Sequence, residues 1–597
     1  MKKLVMYLLS LSLSIISCVH LGVTKTIADV NNSIVTVQML RDNSFKSSFI
    51  VTENGTNSFN LNNGNQVSNC WTYNQYNSTY TIDANNYSTE GTAKIYGASS
   101  EKKLGIDSTG GAVYFYADTS YDYLTPRTVT QAVVSTELRQ EIKNNVAVAS
   151  VESLWLSTDF IITECTDLNS AYDANLHTAQ IQIALTVQNL NVDSTGYGDY
   201  FLYVLPLYDA RYDYAPSYNN GACDSSNKKY VYNPSATEFL SSVTTLNSVQ
   251  SINFDIKDKI YNTFNSAKEK AYLGTSAWED MYISSFSIIQ SLPGTYKIGS
   301  HFSNIGLSYT IQTQNAYADE DYLNGFSVYT TQEGNGTIVG NLKKDESTTT
   351  PSWTIAQWNS QNDIVNGYRS IQDDLWLWGD NSKQVFVRPQ THTLGLLMNA
   401  SSEYTADRVQ NQPWPCILLN QEFDFNNHVK ISELSSLIMN VDFNITKMEN
   451  HMVGEVDPNL HAAQLLWYIT IQNRNVNSVD FGKYVWFGLQ LYDSRYEFCP
   501  FFANEDGGKE VNTGMFIYLQ ESQNFIQDVV VPNRAYSIQY NAYEKICEAF
   551  ALAQSRGYLT NTTFDDLYVG GMNIGWELPG TYDVCVEISD LNLYPVY

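Results

Sequence analysis

The chain has 597 residues, more than a single hydrophobic core ordinarily organises, so two or more domains are expected. Hydrophobic residues make up 43% and aromatics 13%, which is enough to build cores and excludes a disordered chain. Only 16% of residues are charged, and 62 acidic against 34 basic side chains give a formal net charge of -28. That balance excludes an electrostatic nucleic-acid binder and a protein held to anionic lipid by its surface charge.

The first segment reads as targeting rather than structure. Lys2 and Lys3 precede an apolar stretch at 4–16 that is too short to span a bilayer as a helix. Residues 1–28 are therefore expected to be a signal peptide, cut after Thr26-Ile27-Ala28. The run Ser14-Ile15-Ile16-Ser17-Cys18 also has the form of a lipobox, which would lipidate Cys18 and give the protein a membrane anchor. Both routes place the protein outside the cell or on its surface. The seven remaining cysteines stand at scattered spacings with no CxxC pair, so neither a disulfide framework nor a zinc site is expected.

Taken along the chain, strand signals dominate. Apolar and aromatic runs of strand length fall at 112–116, 129–134, 181–187, 201–207 and 283–289, separated by Asn- and Gly-bearing turns. A single helix follows in each half. Ile256, Ile260, Phe264, Ala267 and Ala271 form one apolar stripe, and Ala542, Ile546, Phe550, Ala553 and Gly557 form its later copy.

The copy is part of a long internal repeat. Residues 173–216 align on 457–500 without a gap, with 21 identities in 44 positions. The match extends to Trp71-Thr72 on Trp353-Thr354, to Glu137 on Glu422, and to Leu-Pro-Gly-Thr-Tyr at 292–296 on 578–582. The expected organisation is repeat 1 at 29–311, a polar linker at 312–321 and repeat 2 at 322–597. The fold class this predicts is mostly β: two tandem β-sandwich domains, jelly-roll-like, each with one amphipathic helix.

Three constellations are candidates for chemistry. Leu-Tyr-Asp-x-Arg-Tyr recurs as Asp209, Arg211 and Tyr212 and as Asp493, Arg495 and Tyr496. On a strand, an Asp and an Arg two apart share a face, where they either pair with each other or read a ligand's hydroxyls. Asn-Leu-His-x-Ala-Gln recurs around His177 and His461, either of which is a loop histidine or a general base. Glu577, in Gly-Trp-Glu-Leu-Pro-Gly, and Glu422 would be the catalytic carboxylates of a glycoside hydrolase, with Trp576 stacking on a sugar ring. The first copy reads Ile289-Gln290-Ser291 in place of Gly575-Trp576-Glu577, so this candidate site belongs to repeat 2 alone.

The Gly-Trp-Glu segment resembles the acid/base strand of jelly-roll, concanavalin A-like endoglucanases. The strand expected to bring the nucleophile reads YVWFGLQLYD, with no Glu. Ser135-Thr136-Glu137-Leu138-Arg139 and Gln180-Ile181-Gln182 resemble two motifs of jelly-roll alginate lyases, whose Tyr-bearing third motif is missing. Both resemblances imply carbohydrate-active or carbohydrate-binding domains. The expected partner is a polysaccharide or cell-surface glycan, with no nucleic acid, cofactor or metal. The function expected is glycan binding or glycan processing, with a surface adhesin without catalysis and a polysaccharide lyase as alternatives.

Overall fold

The computed structural model describes residues 33–61, 70–82, 87–97, 101–143, 146–218, 229–334, 336–345, 349–424, 429–507, 512–526 and 528–597. The expected signal peptide with its lipobox Cys18 lies outside them, as does Cys223. The chain divides into two compact units, Ile34–Gln312 and Thr313–Tyr597.

In the first unit one sheet has eight strands. Their spatial order is Tyr230–Tyr232, Tyr200–Asp209, Gln180–Asn189, Met281–Leu292, Val134–Glu141, Trp71–Tyr76, Phe49–Glu53 and Thr56–Leu61. The opposing sheet centres on Ser153–Asp167, Tyr296–Thr313 and Ala112–Asp118. Successive strands pass back and forth between the two sheets, which makes the unit a β-sandwich of jelly-roll type. The second unit has the same arrangement. Trp353–Ala356, Cys416–Glu422, Leu567–Glu577, Gln464–Asn473 and Tyr484–Asp493 lie side by side in one sheet, and Thr393–Asn399, Tyr582–Val596 and Ser436–Asn450 in the other.

Period-two alternation builds the core. Along Gln464–Asn473, Leu465, Trp467, Ile469 and Ile471 point inward and are buried, while Gln464, Tyr468, Thr470 and Gln472 face away. Both sheets contribute to one core cluster, as when Phe326 of one meets Trp378 of the other edge to face at 6.1 Å. The helices are Lys257–Glu269 and Tyr543–Ser555, with Ile260, Phe264 and Ala267, and Ile546, Phe550 and Ala553, on the buried side. Each ends before its stripe does, because Ala271 and Gly557 adopt positive φ of 61° and 89°.

Two expectations are corrected. The strand expected at 129–134 begins only at Val134. Val129 is exposed, and the preceding loop is folded around Arg127, which donates to the carbonyls of Thr128 and Gln131. The expected linker at 312–321 belongs, from Thr313 onward, to the second unit. Its Tyr317 is buried against Trp353 and Phe423, Ala316 donates its N–H to the Leu593 carbonyl, and the Ala318 N–H and carbonyl both bond to the Gln421 amide. Polar composition concealed this because the buried rings are few and the segment's backbone groups find partners in the sandwich.

Among the described residues, each unit also buries one lysine, at an equivalent strand position. Lys383 donates to Ser360 Oγ at 2.6 Å and to Asp380 Oδ2 at 2.8 Å. Lys102 donates to Ser78 Oγ and to the Tyr80 carbonyl. Burial pushes the Lys102 ammonium down to about 8, against the upward pull of Asp122 and Glu53. The folded state thus holds its proton less tightly than the unfolded chain. The full penalty applies below pH 8 and is relieved as pH rises from 8 toward 10.5, so stability rises across that window. The gain is on the order of 3 kcal/mol. Above pH 10 it is opposed by tyrosines such as half-buried Tyr76, raised to about 12, whose protons the folded state retains. Urea midpoints between pH 7 and 10 should climb in the wild type and lie flat in Lys102→Met.

Candidate functional site

The recurrent histidine and Asp-x-Arg motifs form the same structural tie in both units. In the second, the Asp457 N–H donates to His461 Nδ1 at 3.0 Å, and His461 Nε2 donates to the Arg408 carbonyl at 2.8 Å. Both ring nitrogens are spent on backbone, which specifies the Nε2–H tautomer. Asp493 is fully buried and accepts Arg495 Nε at 2.8 Å, Arg495 Nη2 at 2.5 Å, Gln464 Nε2 at 2.9 Å and Gln490 Nε2 at 2.8 Å. Arg495 passes one more bond to the Pro458 carbonyl and lies over the Tyr496 ring at 5.3 Å. The strand end is thereby tied to the Asn-Leu-His loop. His177, Asp209 and Arg211 repeat the histidine and arginine bonds, and Gln180 again donates to the aspartate, but Thr178 Oγ1 replaces Gln490 as its other donor. The histidine, aspartate and arginine are scaffold rather than ligand contacts, because their polar atoms are consumed inside the fold, whereas the Tyr212 and Tyr496 rings stay exposed.

A further pair belongs to the tie and carries no motif of its own. Arg408 donates to the carbonyls of Pro579, Gln412 and Leu460, and Arg127 does the same with Pro293, Gln131 and Leu176. The signal was the shared Arg-x-x-x-Gln at 127–131 and 408–412, visible once the repeat register is extended.

The expected catalytic pair is not brought together. Strand register sets Cys416 opposite Glu577 and Glu422 opposite Gly571. Six residues of strand separate the two carboxylates, roughly 20 Å at about 3.3 Å per residue. Glycosidases hold theirs about 5–9.5 Å apart. The residues flanking Glu577 across the ladder are Cys416 and Gln464, neither a carboxylate. Trp576 points into the core with 0% exposure, since its neighbour Glu577 points out. It cannot stack on a sugar. The register also corrects the repeat alignment: Glu141, opposite Ser285, is the counterpart of Glu422, while Glu137 stands at the position of Leu418.

What the second unit does assemble is an aromatic face on the side of its large sheet turned away from the core. Tyr329 and Trp358 stack at 5.4 Å and, with Trp414, cover Ala356, Cys416 and Leu418. Trp414 Nε1 donates to Glu577 Oε2 at 2.9 Å. Two strands away, Tyr468 and Tyr484 meet the Trp486 ring edge to face at 5.6 and 5.0 Å. These rings are all half-exposed. Asn420 and Asn573 supply amides between them, while Gln464 and Gln472, bonded through Nε2 to Asp493 and to the Gly482 carbonyl, flank Tyr468 along its strand. Gly488 makes room for Tyr468, since a Cβ there would lie 2.6 Å from its ring.

The face is electronegative. Burial raises the Tyr468 hydroxyl well above the usual tyrosine range, and Glu577 and Asp506 push it further. Glu422 is solvent-accessible, yet desolvation by the surrounding protein raises its carboxyl above the usual range. Glu449, His451 and Asp583 cluster on the opposite sheet, but Lys447 already lies 3.4 Å from both carboxylates.

No protein-family model matches this chain, and no curated protein does. Solved structures to which it is similar include a thermostable cellulase derived from the Cel12A enzyme of Rhodothermus marinus, at 11% identity, covering 41% of this chain and 100% of that one with a TM-score of 0.23. A family 11 xylanase from Neocallimastix patriciarum matches at 12% identity, over 39% and 96%, with a TM-score of 0.22. A family 12 xyloglucanase from Bacillus licheniformis matches at 9%, over 38% and 97%, with a TM-score of 0.23. The resemblance to these carbohydrate-active β-sandwiches is weak, and scores this low carry no argument about activity.

Proposed function

We propose that this is an exported polysaccharide-binding protein whose second unit holds a neutral glycan chain on the aromatic face of its large sheet. The observation that carries the reading is the set of half-exposed rings, Tyr329, Trp358, Trp414, Tyr468, Tyr484 and Trp486, interleaved with amides on one face. Flat rings stack on the apolar faces of pyranoses while amides and carboxylates take the hydroxyls. Glu577, Glu422 and Asp506 give the site a negative field, which disfavours the uronic acid polymers a lyase would need. Binding is favoured over hydrolysis because no second carboxylate stands across from Glu577. Export rests on the segment at 1–28.

Affinity electrophoresis of the full chain through gels containing neutral or uronic acid polysaccharides tests this. A neutral glucan or xylan should retard the protein, and uronic acid polymers should not. Trp486→Ala should weaken retardation roughly three- to tenfold with unchanged thermal stability. Retardation by no neutral polymer, or equal retardation of Trp486→Ala, would refute the reading.

A further inference from the structure

The first unit presents the equivalent sheet face with different chemistry. Strand register puts Leu202 where the second unit has Trp486, Ala184 where it has Tyr468, Asn74 where it has Ala356 and Glu137 where it has Leu418. The Trp486 and Tyr468 rings are lost, Tyr200 remains at the position of Tyr484, and a carboxylate stands near the middle of the face.

Glu137 is half-buried and held by three neutral donors. Its Oε1 accepts from Ser287 Oγ at 2.6 Å, and its Oε2 accepts from Asn74 Nδ2 at 2.9 Å and from the Tyr76 hydroxyl at 3.2 Å. Asn74 is fixed in turn by Thr52, whose Oγ1 donates to Asn74 Oδ1 at 2.5 Å. Asn74, Ser287 and Thr52 are buried, so the half-buried carboxylate is set among polar side chains that the fold holds in place. Arg139 shares the face but is committed to Glu141. Among the described residues, no Lys, Arg or His forms an ion pair with Glu137. The three donors stabilise the carboxylate but bring no positive charge to it.

We propose that this face, at Glu137, binds a primary ammonium group carried on a polyhydroxylated scaffold, which makes the first unit a site for an amino-sugar chain. The ammonium supplies the missing counter-charge through a charge-assisted hydrogen bond to Glu137. Gln182, half-buried and in register with Ile289 beside Glu137, can meet a neighbouring hydroxyl, and the Tyr76 hydroxyl that donates to Glu137 can accept from another. The net charge of -28 raises the local concentration of such a cation. This site lies in another unit and selects another ligand than the aromatic face, so it does not depend on that reading.

The test is an equilibrium titration of the full chain with glucosamine oligomers, using the N-acetylated oligomers as the amine-blocked control. The wild type should bind the free amine and not the blocked one. Glu137→Gln should weaken binding roughly tenfold or more, and Trp486→Ala should leave it unchanged. Carbodiimide coupling of the wild-type complex, followed by peptide mapping, should place the glucosamine on Glu137, and this readout needs no variant to fold. Equal binding of both oligomers, unchanged affinity in Glu137→Gln, or a cross-link elsewhere overturns the proposal. Because Trp486→Ala separates the two faces, failure here leaves the second unit's reading standing.

Discussion

Trp576→Ala should destabilise the second unit by about 3–5 kcal/mol. The side chain has 0% exposure, sits between Ile417 and Leu465 in the ladder, and meets the Tyr492 ring edge to face at 6.4 Å. Truncating an indole there removes its transfer free energy and leaves a cavity that flanking strands, held by their hydrogen bonds, cannot close. A sugar-stacking tryptophan would behave in the opposite way, losing ligand affinity with little change in stability. Urea unfolding of the variant beside Trp486→Ala separates the two roles: Trp576→Ala should lower the midpoint strongly, and Trp486→Ala should barely move it.

Asp493→Ala should cost about 3 kcal/mol, the lower end of what breaking a buried ion pair costs. The carboxylate is fully buried, but the Arg495 side chain retains 22% exposure, so its abandoned guanidinium recovers some hydration. Gln464 and Gln490 also lose their acceptor, and the strand end comes untied from the Asn-Leu-His loop. Asp209→Ala should do the same to the first unit. There the bonds from Arg211, Gln180 and Thr178 outweigh the burial that would raise the carboxyl, and they hold it below its usual range. The stability it contributes is present above the unfolded carboxyl's pKa, near pH 4, and is lost as pH falls through the folded value. An acid titration followed by tryptophan fluorescence should show a wild-type limb that Asp209→Asn lacks. If either alanine variant kept full stability but lost glycan binding, the tie would be a ligand site after all.

Much of the architecture was legible because the patterns that encode it are strong and occur twice. The strand runs around 181–187 and 201–207 fell inside Gln180–Asn189 and Tyr200–Asp209, and both helix stripes marked real helices. The site was less legible. Recurrence drew attention to His177, His461, Asp209 and Asp493, yet residues that two diverged units both keep are those the shared scaffold needs. The residues that differentiate the faces are unique to one copy: Tyr468 against Ala184, Trp486 against Leu202, and Glu137 against Leu418. One signal did exist. Trp467-Tyr468 and Trp486-Phe487 are aromatic doublets within strands, and alternation forces one ring of each doublet onto the face away from the core. The facing of Trp576 and Glu577 followed from the same rule. The separation of Glu422 from Glu577 did not, because it depends on a strand register that no local pattern specifies.

Hydroxyl-radical footprinting of the full chain, with and without a saturating neutral polysaccharide, tests the central claim most directly. Side-chain oxidation at Trp414, Tyr468 and Trp486 should fall when the glycan is present, while buried Trp467 and Trp576 should stay unreactive in both states. Bound glycan that leaves those three rings as reactive as before, and protects residues elsewhere, would contradict it.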